Sequence, residues 1–182
     1  FFAGITWDRL GDNGLQWPVA QDGTDTQILH QTEFKIGKGQ FIFNNWRETE
    51  ELVSHAKDYP YILTTNRELE HYNCGAMTRR TGNVEILKDD YLMINPEDAA
   101  KHFISEGDYV CLESPRGKVD VKAKITDQVK SGVVSTTFHF PEIMINNITG
   151  DVHDSEAMCP EYKVVAVKIR KSKGKFKQLA EV

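Results

Sequence analysis

Apolar and polar residues alternate most cleanly between positions 109 and 125. Tyr109-Val110-Cys111-Leu112-Glu113-Ser114 and Lys118-Val119-Asp120-Val121-Lys122-Ala123-Lys124-Ile125 flank the turn Pro115-Arg116-Gly117. In the second arm Val119, Val121, Ala123 and Ile125 share one face, while Lys118, Asp120, Lys122 and Lys124 share the other. That period of two predicts a hairpin with one dry and one wet side. Short apolar runs at Tyr61–Thr65, Tyr91–Ile94, Gly132–Phe138 and Tyr162–Ile169 predict further strands. One helix is predicted over Pro96–Ser105: Asn95 is a good N-cap, Pro96 suits the first helical position, and Glu97 and Asp98 favour the first turn. It would bury Ala99, Ala100, Phe103 and Ile104 and stop at Gly107. Several short strands with one or two helices predict a small, closed or nearly closed β-barrel over residues 59–182.

Residues 1–33 show little of this periodicity and are rich in Gly, Asp, Gln and Thr. With Trp7, Trp17 and Trp46, the first 58 residues read as an arm or linker whose indoles need a surface to lie on. Within it, Phe34–Phe43 alternates around Gly37-Lys38-Gly39 and predicts a hairpin. Glu48–Lys57 reads as a loop or a single helical turn. The basic tail from Arg170 to Lys177 is expected to fray.

With 182 residues, the chain fits one domain plus that arm. Its formal net charge of −5 argues against a general nucleic-acid binder. No apolar run approaches the roughly 20 residues that span a bilayer, and no signal-peptide pattern opens the chain. Without an initiator Met, an excised fragment or processed product is expected. Three scattered cysteines, Cys74, Cys111 and Cys159, suit a reducing compartment and point to the cytoplasm.

Candidate chemistry concentrates in Thr64–Thr81. This stretch follows a strand and gathers hydroxyls, amides, His71 and three arginines, Arg67, Arg79 and Arg80. It is either a solvated polar loop or a site for an anionic, hydrogen-bonding ligand. In the second case Arg67 offers a planar fork to an oxyanion. His71 contributes one hydrogen bond, Asn73 and Thr78 fix a heterocycle or sugar, and Gly75 allows close backbone approach. Phe138–Thr149 is either an apolar lid or the second wall of the same pocket, with His139, His153 and Lys163 near enough in sequence order to reach it. His71 and Cys74 alone do not make a structural metal site, which wants four ligands. The pairs Asp89-Asp90 and Glu50-Glu51 read as surface charge. No nucleophile elbow, Walker loop or HExxH pattern is present, so the residues point to a binding domain whose chemistry is supplied elsewhere.

An ordered set of short motifs now gains weight. Tyr-Pro-Tyr-Ile-Leu-Thr-Thr-Asn-Arg-Glu (59–68), His71-Tyr72 and Met77-Thr78-Arg79 come first. Ile94–Ala99, Gly107-Asp108-x-Val110, Ser114-x-Arg116-Gly117, Asn146-x-Ile148-Thr149 and Pro160-Glu161-Tyr162-Lys163 follow, before a Val-Val-Ala-Val strand. Together they resemble the C-terminal dinucleotide-binding domain of molybdopterin oxidoreductases. Gly4–Leu10, Gly14–Pro18 and Asp22-Gly23-Thr24 resemble the stretch just upstream in formate dehydrogenase catalytic subunits.

The resemblance implies a mainly β fold with flanking helices, a six-stranded double-psi β-barrel. It implies a molybdopterin guanine dinucleotide with molybdenum or tungsten as ligand and formate oxidation as the parent activity. Other domains of the parent subunit would carry the metal's protein ligand and an iron–sulfur cluster, and electron-transfer subunits would be partners. The cofactor contacts it implies are Thr65, Asn66, Arg67, Glu68, Leu69, His71, Asn73, Cys74 and Thr78 on the first loop. Phe138, His139 and Asn146 on the second loop, and Lys163, complete them. Asn66 stands where members often have Gly. The same domain of a nitrate reductase or formylmethanofuran dehydrogenase is an alternative, as is a non-enzymatic binding module on the same barrel.

Overall fold

The computed structural model describes residues 1–172, in two compact units, one over Phe1–Trp46 and one from Arg47 onward. The first unit contains one turn of helix, α1 (Trp7–Leu10), and is otherwise irregular. Phe1 and Phe2 pack on Trp17 with ring centroids 5.5 and 6.1 Å apart. The Arg9 guanidinium donates to the carbonyls of Gly4 and Gly23. Gly4 has to be glycine, because a Cβ there would lie 1.9 Å from the Ala20 carbonyl oxygen. The hairpin expected at 34–43 is absent: only a turn closed by Gly37 N–H on the Phe34 carbonyl forms. A lone two-stranded ribbon is marginal in water unless a sheet or helix receives it.

The second unit opens with α2 (Glu50–His55), capped by the Thr49 hydroxyl, which accepts from Glu51 N–H. Six strands follow: β1 (Tyr61–Thr65), β2 (Tyr91–Ile94), β3 (Tyr109–Ser114), β4 (Gly117–Ile125), β5 (Val133–Thr136) and β6 (Val165–Lys171). A short helix, α3 (Asn83–Ile86), precedes β2, and α4 (Pro96–Lys101) joins β2 to β3. The strands close in the order β1-β5-β2-β4-β3-β6. β1 runs parallel to β5 and β2 to β4, while the remaining neighbours are antiparallel. Exchanging β1 with β4, β2 with β5 and β3 with β6 leaves every one of these pairings unchanged. This two-fold interlocking of two three-strand halves is a double-psi barrel, and closure leaves no sheet edge exposed.

Leu63, Leu92, Ile94, Val110, Leu112 and Val134 fill the interior at 0 % exposure. Each such side chain contributes roughly 1.5–3 kcal/mol on burial. The registers then sort the connections. The loops 66–90 and 137–164 and the turn Pro115-Arg116 emerge at one end of the barrel; 95–108 and 126–132 leave from the other. The two ends are equivalent by strand topology but not by loop length, and the donor-rich stretch lies at the long-loop end.

Four local expectations are corrected. α4 stops at Lys101 because Phe103 takes φ +54 as the chain turns back toward β3; Phe103 and Ala100 are exposed, while Ala99 and Ile104 are buried. β5 ends at Thr136, where the chain folds over Asp90. β6 begins only at Val165, after Tyr162 and Lys163 are tied to Thr65, and it extends through Arg170 and Lys171, the start of the supposed frayed tail. Positions 173–177 of that tail lie outside the described residues. Asp120, on the face read as wet, is buried and accepts from the Ser172 hydroxyl at 3.2 Å.

The acidic pairs also divide. Asp89 stays at the surface and meets Lys122 at 3.1 Å, whereas Asp90 is 1 % exposed. Glu50 is exposed, whereas Glu51 is 2 % exposed and bonded to Arg116. Neither pair is plain surface charge. In each, the second acid faces backbone N–H groups or a guanidinium that a polar pattern cannot reveal.

Candidate functional site: the long-loop end of the barrel

Asp90 organises this end. Just before β2, its carboxylate accepts from the Thr137 hydroxyl, from His139 N–H at 3.3 Å and from Phe140 N–H at 3.1 Å. Burial pushes the Asp90 carboxyl above the usual carboxylate range, against the pull of those donors. The result is a fixed turn at 137–140 that drives the His139 ring inward.

His139 is fully buried and joins the two long loops. Its Nε2 accepts from Glu68 N–H at 3.0 Å, and its Nδ1 faces the Asn73 carbonyl. A backbone N–H can only donate and a carbonyl can only accept, so the imidazole is neutral with its proton on Nδ1. His71, 5.6 Å away between ring centroids, has the opposite arrangement. Its Nε2 donates to the Leu87 carbonyl at 2.8 Å, and its Nδ1 meets the Thr78 hydroxyl at 3.0 Å, which in turn accepts from Tyr72 N–H. His71 also packs edge-on against Phe140. Both rings are therefore internal braces, and neither presents a free nitrogen.

What these braces hold out to solvent is Arg67. Its guanidinium donates from Nε and one Nη to Asn73 Oδ1, at 3.1 and 3.0 Å, and lies 5.1 Å from the Phe138 ring centroid. Asn73 sits at φ +49, a region Asn tolerates better than most residues. Gly75 is the other left-handed position, at φ +68; a Cβ there would meet the His139 carbonyl oxygen at 2.8 Å. Arg79 stacks on Phe140 at 4.7 Å and pairs with Glu142 at 2.6 Å, adding a second tie between the two loops.

Along the outer wall, a cleft of about 540 Å³ is lined by Thr64, Asn66, Glu68, Met93, Gln128, Val129, Lys130, Val133 and Ser135. Thr64, Ser135 and Met93 are register partners across β1, β5 and β2 and form its floor. The far wall, loop 126–132, is fastened by α4. Asp98 accepts from Gly132 N–H at 2.7 Å and from the Ser131 hydroxyl at 2.8 Å, and Asn95 donates to the Val129 carbonyl at 2.8 Å. Burial pushes the Asp98 carboxyl up, but Gly132 N–H, the Lys101 ammonium and the Ser131 hydroxyl outweigh it and hold the group below the usual range. Asn66 Oδ1 is shielded and has no partner among the described residues.

Of the residues singled out in sequence, Asn66, Arg67, Glu68, Asn73 and Phe138 gather around the loop and its cleft. Leu69 and Cys74 are exposed on the same loop. Thr65 is buried, and its hydroxyl donates to the Tyr162 carbonyl at 3.2 Å. Lys163 donates to the Thr65 carbonyl, which secures the end of β1. Thr78 supports His71 and the Tyr72 backbone. Asn146 is exposed on a 3-10 turn (Ile145–Asn147) near the β3–β4 turn, where the Asn147 carbonyl would lie 2.8 Å from a Cβ on Gly117. His153 bonds within its own loop, to the Asp151 carbonyl at 2.7 Å. Asp90, Gln128 and Lys130 were not anticipated; no local pattern marks them, because the barrel register brings them in. Among the described residues no group of three or more His, Cys, Asp or Glu could hold a metal ion, and no helix is long and apolar enough to cross a membrane.

Comparison with known proteins agrees with this geometry. Residues 61–166 match the model of the molydopterin dinucleotide binding domain. The chain is 42 % identical, over 93 % of its length and 26 % of the relative's, to the F420-dependent formate dehydrogenase subunit alpha of Methanocaldococcus jannaschii. It is 30 % identical, over 92 % of its length and 24 % of the relative's, to the assimilatory nitrate reductase catalytic subunit of Bacillus subtilis. The acetylene hydratase from Pelobacter acetylenicus superposes with a TM-score of 0.57 at 18 % identity, over 64 % of this chain and 19 % of that one, and shares the fold. The chain spans about a quarter of the length of the curated relatives it matches. A closed double-psi barrel with its donor-rich loop at the long-loop end, matched over residues 61–166, makes this chain a member of the molybdopterin dinucleotide-binding domain family of molybdopterin oxidoreductases.

Proposed function

We propose that the chain is the cofactor-capping domain of a formate dehydrogenase catalytic subunit, with a molybdenum- or tungsten-bearing molybdopterin guanine dinucleotide as its ligand. The observation that carries this reading is the Arg67 guanidinium, exposed yet oriented by Asn73 and Phe138 at the long-loop end. Its fork matches a phosphate oxygen pair in geometry and charge. The donor set fits the rest of such a ligand. Asn66 brings a shielded acceptor without a partner among the described residues, Glu68 and Gln128 bring further acceptors and donors, and Lys130 adds a cation at the cleft. Bound, the group supplies two-electron redox chemistry at its metal; this chain supplies position and charge neutralisation, the protein's share of cofactor chemistry.

Arg67 neutralises a phosphate, Asn66 and Glu68 orient the polar edge of a heterocycle, and the braced loop excludes water behind them. The formate assignment draws on the archaeal formate dehydrogenase subunits, at 37 to 42 % identity. The remaining domains of the subunit, an iron–sulfur cluster held there and electron-transfer subunits follow from the same reading, as does a cytoplasmic site for the assembled enzyme. The boundary proposed for the barrel domain is residue 59, with residues 1–58 arriving from the preceding part of the subunit.

The test is Arg67→Ala in the parent polypeptide. Metal and dinucleotide content, read by mass analysis of the purified protein, are expected to fall about tenfold, the scale of one charge-assisted contact pair. Full content in the variant rejects the role.

A further inference from the structure

We propose that His139 is a positioning residue for Arg67: its buried imidazole bridges Glu68 N–H and the Asn73 carbonyl, and Asn73 in turn holds the guanidinium toward the ligand. The proposal rests on the cofactor reading above only for what Arg67 meets. The bridge itself stands on geometry.

The contacts form one continuous line. Asp90 fixes the 137–140 turn through the Thr137 hydroxyl and the backbone N–H groups of His139 and Phe140. That turn seats the His139 ring where no part of it meets solvent. From there Nε2 takes the Glu68 N–H at 3.0 Å, and Nδ1–H reaches the Asn73 carbonyl. These two positions bracket the tip of the loop. The Asn73 backbone is thereby held at φ +49, and its side-chain oxygen faces both Nε and Nη of Arg67. Phe138, the neighbour of His139, supplies the ring beneath the guanidinium at 5.1 Å. One turn thus delivers both supports of Arg67, the amide acceptor through His139 and the aromatic face through Phe138.

The alternative role for His139, direct contact with a ligand, is closed by its burial and by the engagement of both ring nitrogens. A side chain that only filled space would need neither bond. An unsatisfied Glu68 N–H or Asn73 carbonyl at this depth is unfavourable, so the ring is matched to the loop on both sides.

The experiment uses the unmodified chain and three variants, read by nitrogen-15 NMR. In the unmodified chain the His139 ring is expected as a neutral tautomer, protonated at Nδ1 and unprotonated at Nε2. A doubly protonated ring or the reverse tautomer at neutral pH overturns the proposal, whether or not any variant folds. Hydrogen exchange at Arg67 Nε–H is the second reading. His139→Ala is expected to speed it about fivefold, the loss of one net hydrogen bond. His139→Asn can still donate toward the Asn73 carbonyl and is expected to stay within about twofold of the unmodified chain. His139→Gln, which suits only the Glu68 side, is expected to behave as the alanine variant does. Equal effects of Asn and Gln overturn the proposal, because a purely structural defect would not distinguish the two ends of the ring.

Dinucleotide content of the parent polypeptide separates this inference from the function it rests on. A fall in His139→Ala that parallels the fall in Arg67→Ala supports both. Loss in Arg67→Ala without loss in His139→Ala overturns the positioning role. Full content in both, with faster Arg67 exchange in His139→Ala, keeps the bridge and rejects the cofactor reading.

Discussion

The Arg116 guanidinium and the Glu51 carboxylate meet in a two-pronged ion pair, with one Nη 2.6 Å from Oε1 and the other 3.1 Å from Oε2. Glu51 Oε1 also accepts from Ala166 N–H at 2.9 Å, and Arg116 donates to the Ile148 carbonyl at 3.3 Å. Four separate parts of the chain therefore converge on one pair: α2, the β3–β4 turn, the second long loop and β6. Removing one partner of a fully buried pair costs about 3–5 kcal/mol. Arg116 retains a quarter of its exposure, which lowers the expected loss for Glu51→Ala to about 2–4 kcal/mol. Urea denaturation measures it. A double change to well-packed apolar residues is expected to cost less than either single change, since no unpaired charge remains. A Glu51→Ala variant with an unchanged urea midpoint would sink the idea that α2 is clasped to the barrel by this pair.

Asp98 predicts an acid-sensitive wall for the cleft. Its folded-state carboxyl is held below the unfolded value of about 3.8 by Gly132 N–H, Lys101 and Ser131, which outweigh the upward push of burial. A depressed carboxyl contributes stability that is present above the unfolded pKa and lost as pH falls through the folded one. The chain should therefore lose stability below about pH 4, and Asp98→Asn should flatten that limb. Thermal melts between neutral and acidic pH check this, and parallel curves for the two proteins would refute it. Faster amide exchange across Lys130–Val133 in the variant would report the loosened loop directly.

Asp90 carries the opposite sign. Burial raises its folded carboxyl above the unfolded range, so its protonated form favours the folded state at low pH, and that advantage is lost as pH rises through the raised value. Asp90→Asn should therefore differ from the unmodified protein in a pH-dependent way, gaining on it as pH increases from the acid side. Against this, an amide offers one acceptor oxygen where the carboxylate serves the Thr137 hydroxyl and two backbone N–H groups. The expected net effect near neutral pH is a loss of about 1–3 kcal/mol, the cost of leaving a buried donor unmet. Denaturant midpoints measured across pH read both parts, and a pH-independent difference would contradict the buried carboxyl.

Much of the barrel was visible in the alternation of its strands. Val119, Val121 and Ala123 turn inward as their period of two predicts, and the Asn95–Pro96 start of α4 is capped as the residue types require. The arm was harder to read, because alternation around Gly37-Lys38-Gly39 says nothing about whether another strand exists to accept the ribbon. The two-fold exchange of strand halves was invisible as a sequence repeat. It is a property of pairing, and each half satisfies it with different side chains. At the site, Arg67, Asn73 and Phe138 could be picked out by type. Asp90 could not be told from Asp89, since their fates differ only through which one faces the 137–140 turn. His71 and His139 looked like ligand contacts because histidine near arginine in a loop has that chemistry. Only the donors and acceptors around each ring show them to be braces.

Gly75 closes the first loop against the second and allows a sharp test of that packing. It occupies φ +68, and a Cβ would approach the His139 carbonyl oxygen at 2.8 Å and the Arg79 side chain at 2.6 Å. The Arg79 chain is long and half-buried and can swing aside, but the carbonyl belongs to the turn pinned by Asp90 and cannot. Gly75→Ala thus combines left-handed strain of roughly 1–2 kcal/mol with a backbone clash. A loss of about 2–4 kcal/mol is expected, with the largest changes in amide exchange at Glu68 and Asn73, the two backbone positions bridged by His139. Gly82→Ala is the control: nothing lies within 4 Å of a Cβ there, and its φ is −60. That variant should be neutral or slightly stabilising through a less flexible unfolded chain. Equal stability of the two variants would mean that the loops do not close on one another at Gly75, and that the support proposed for Arg67 has a different origin.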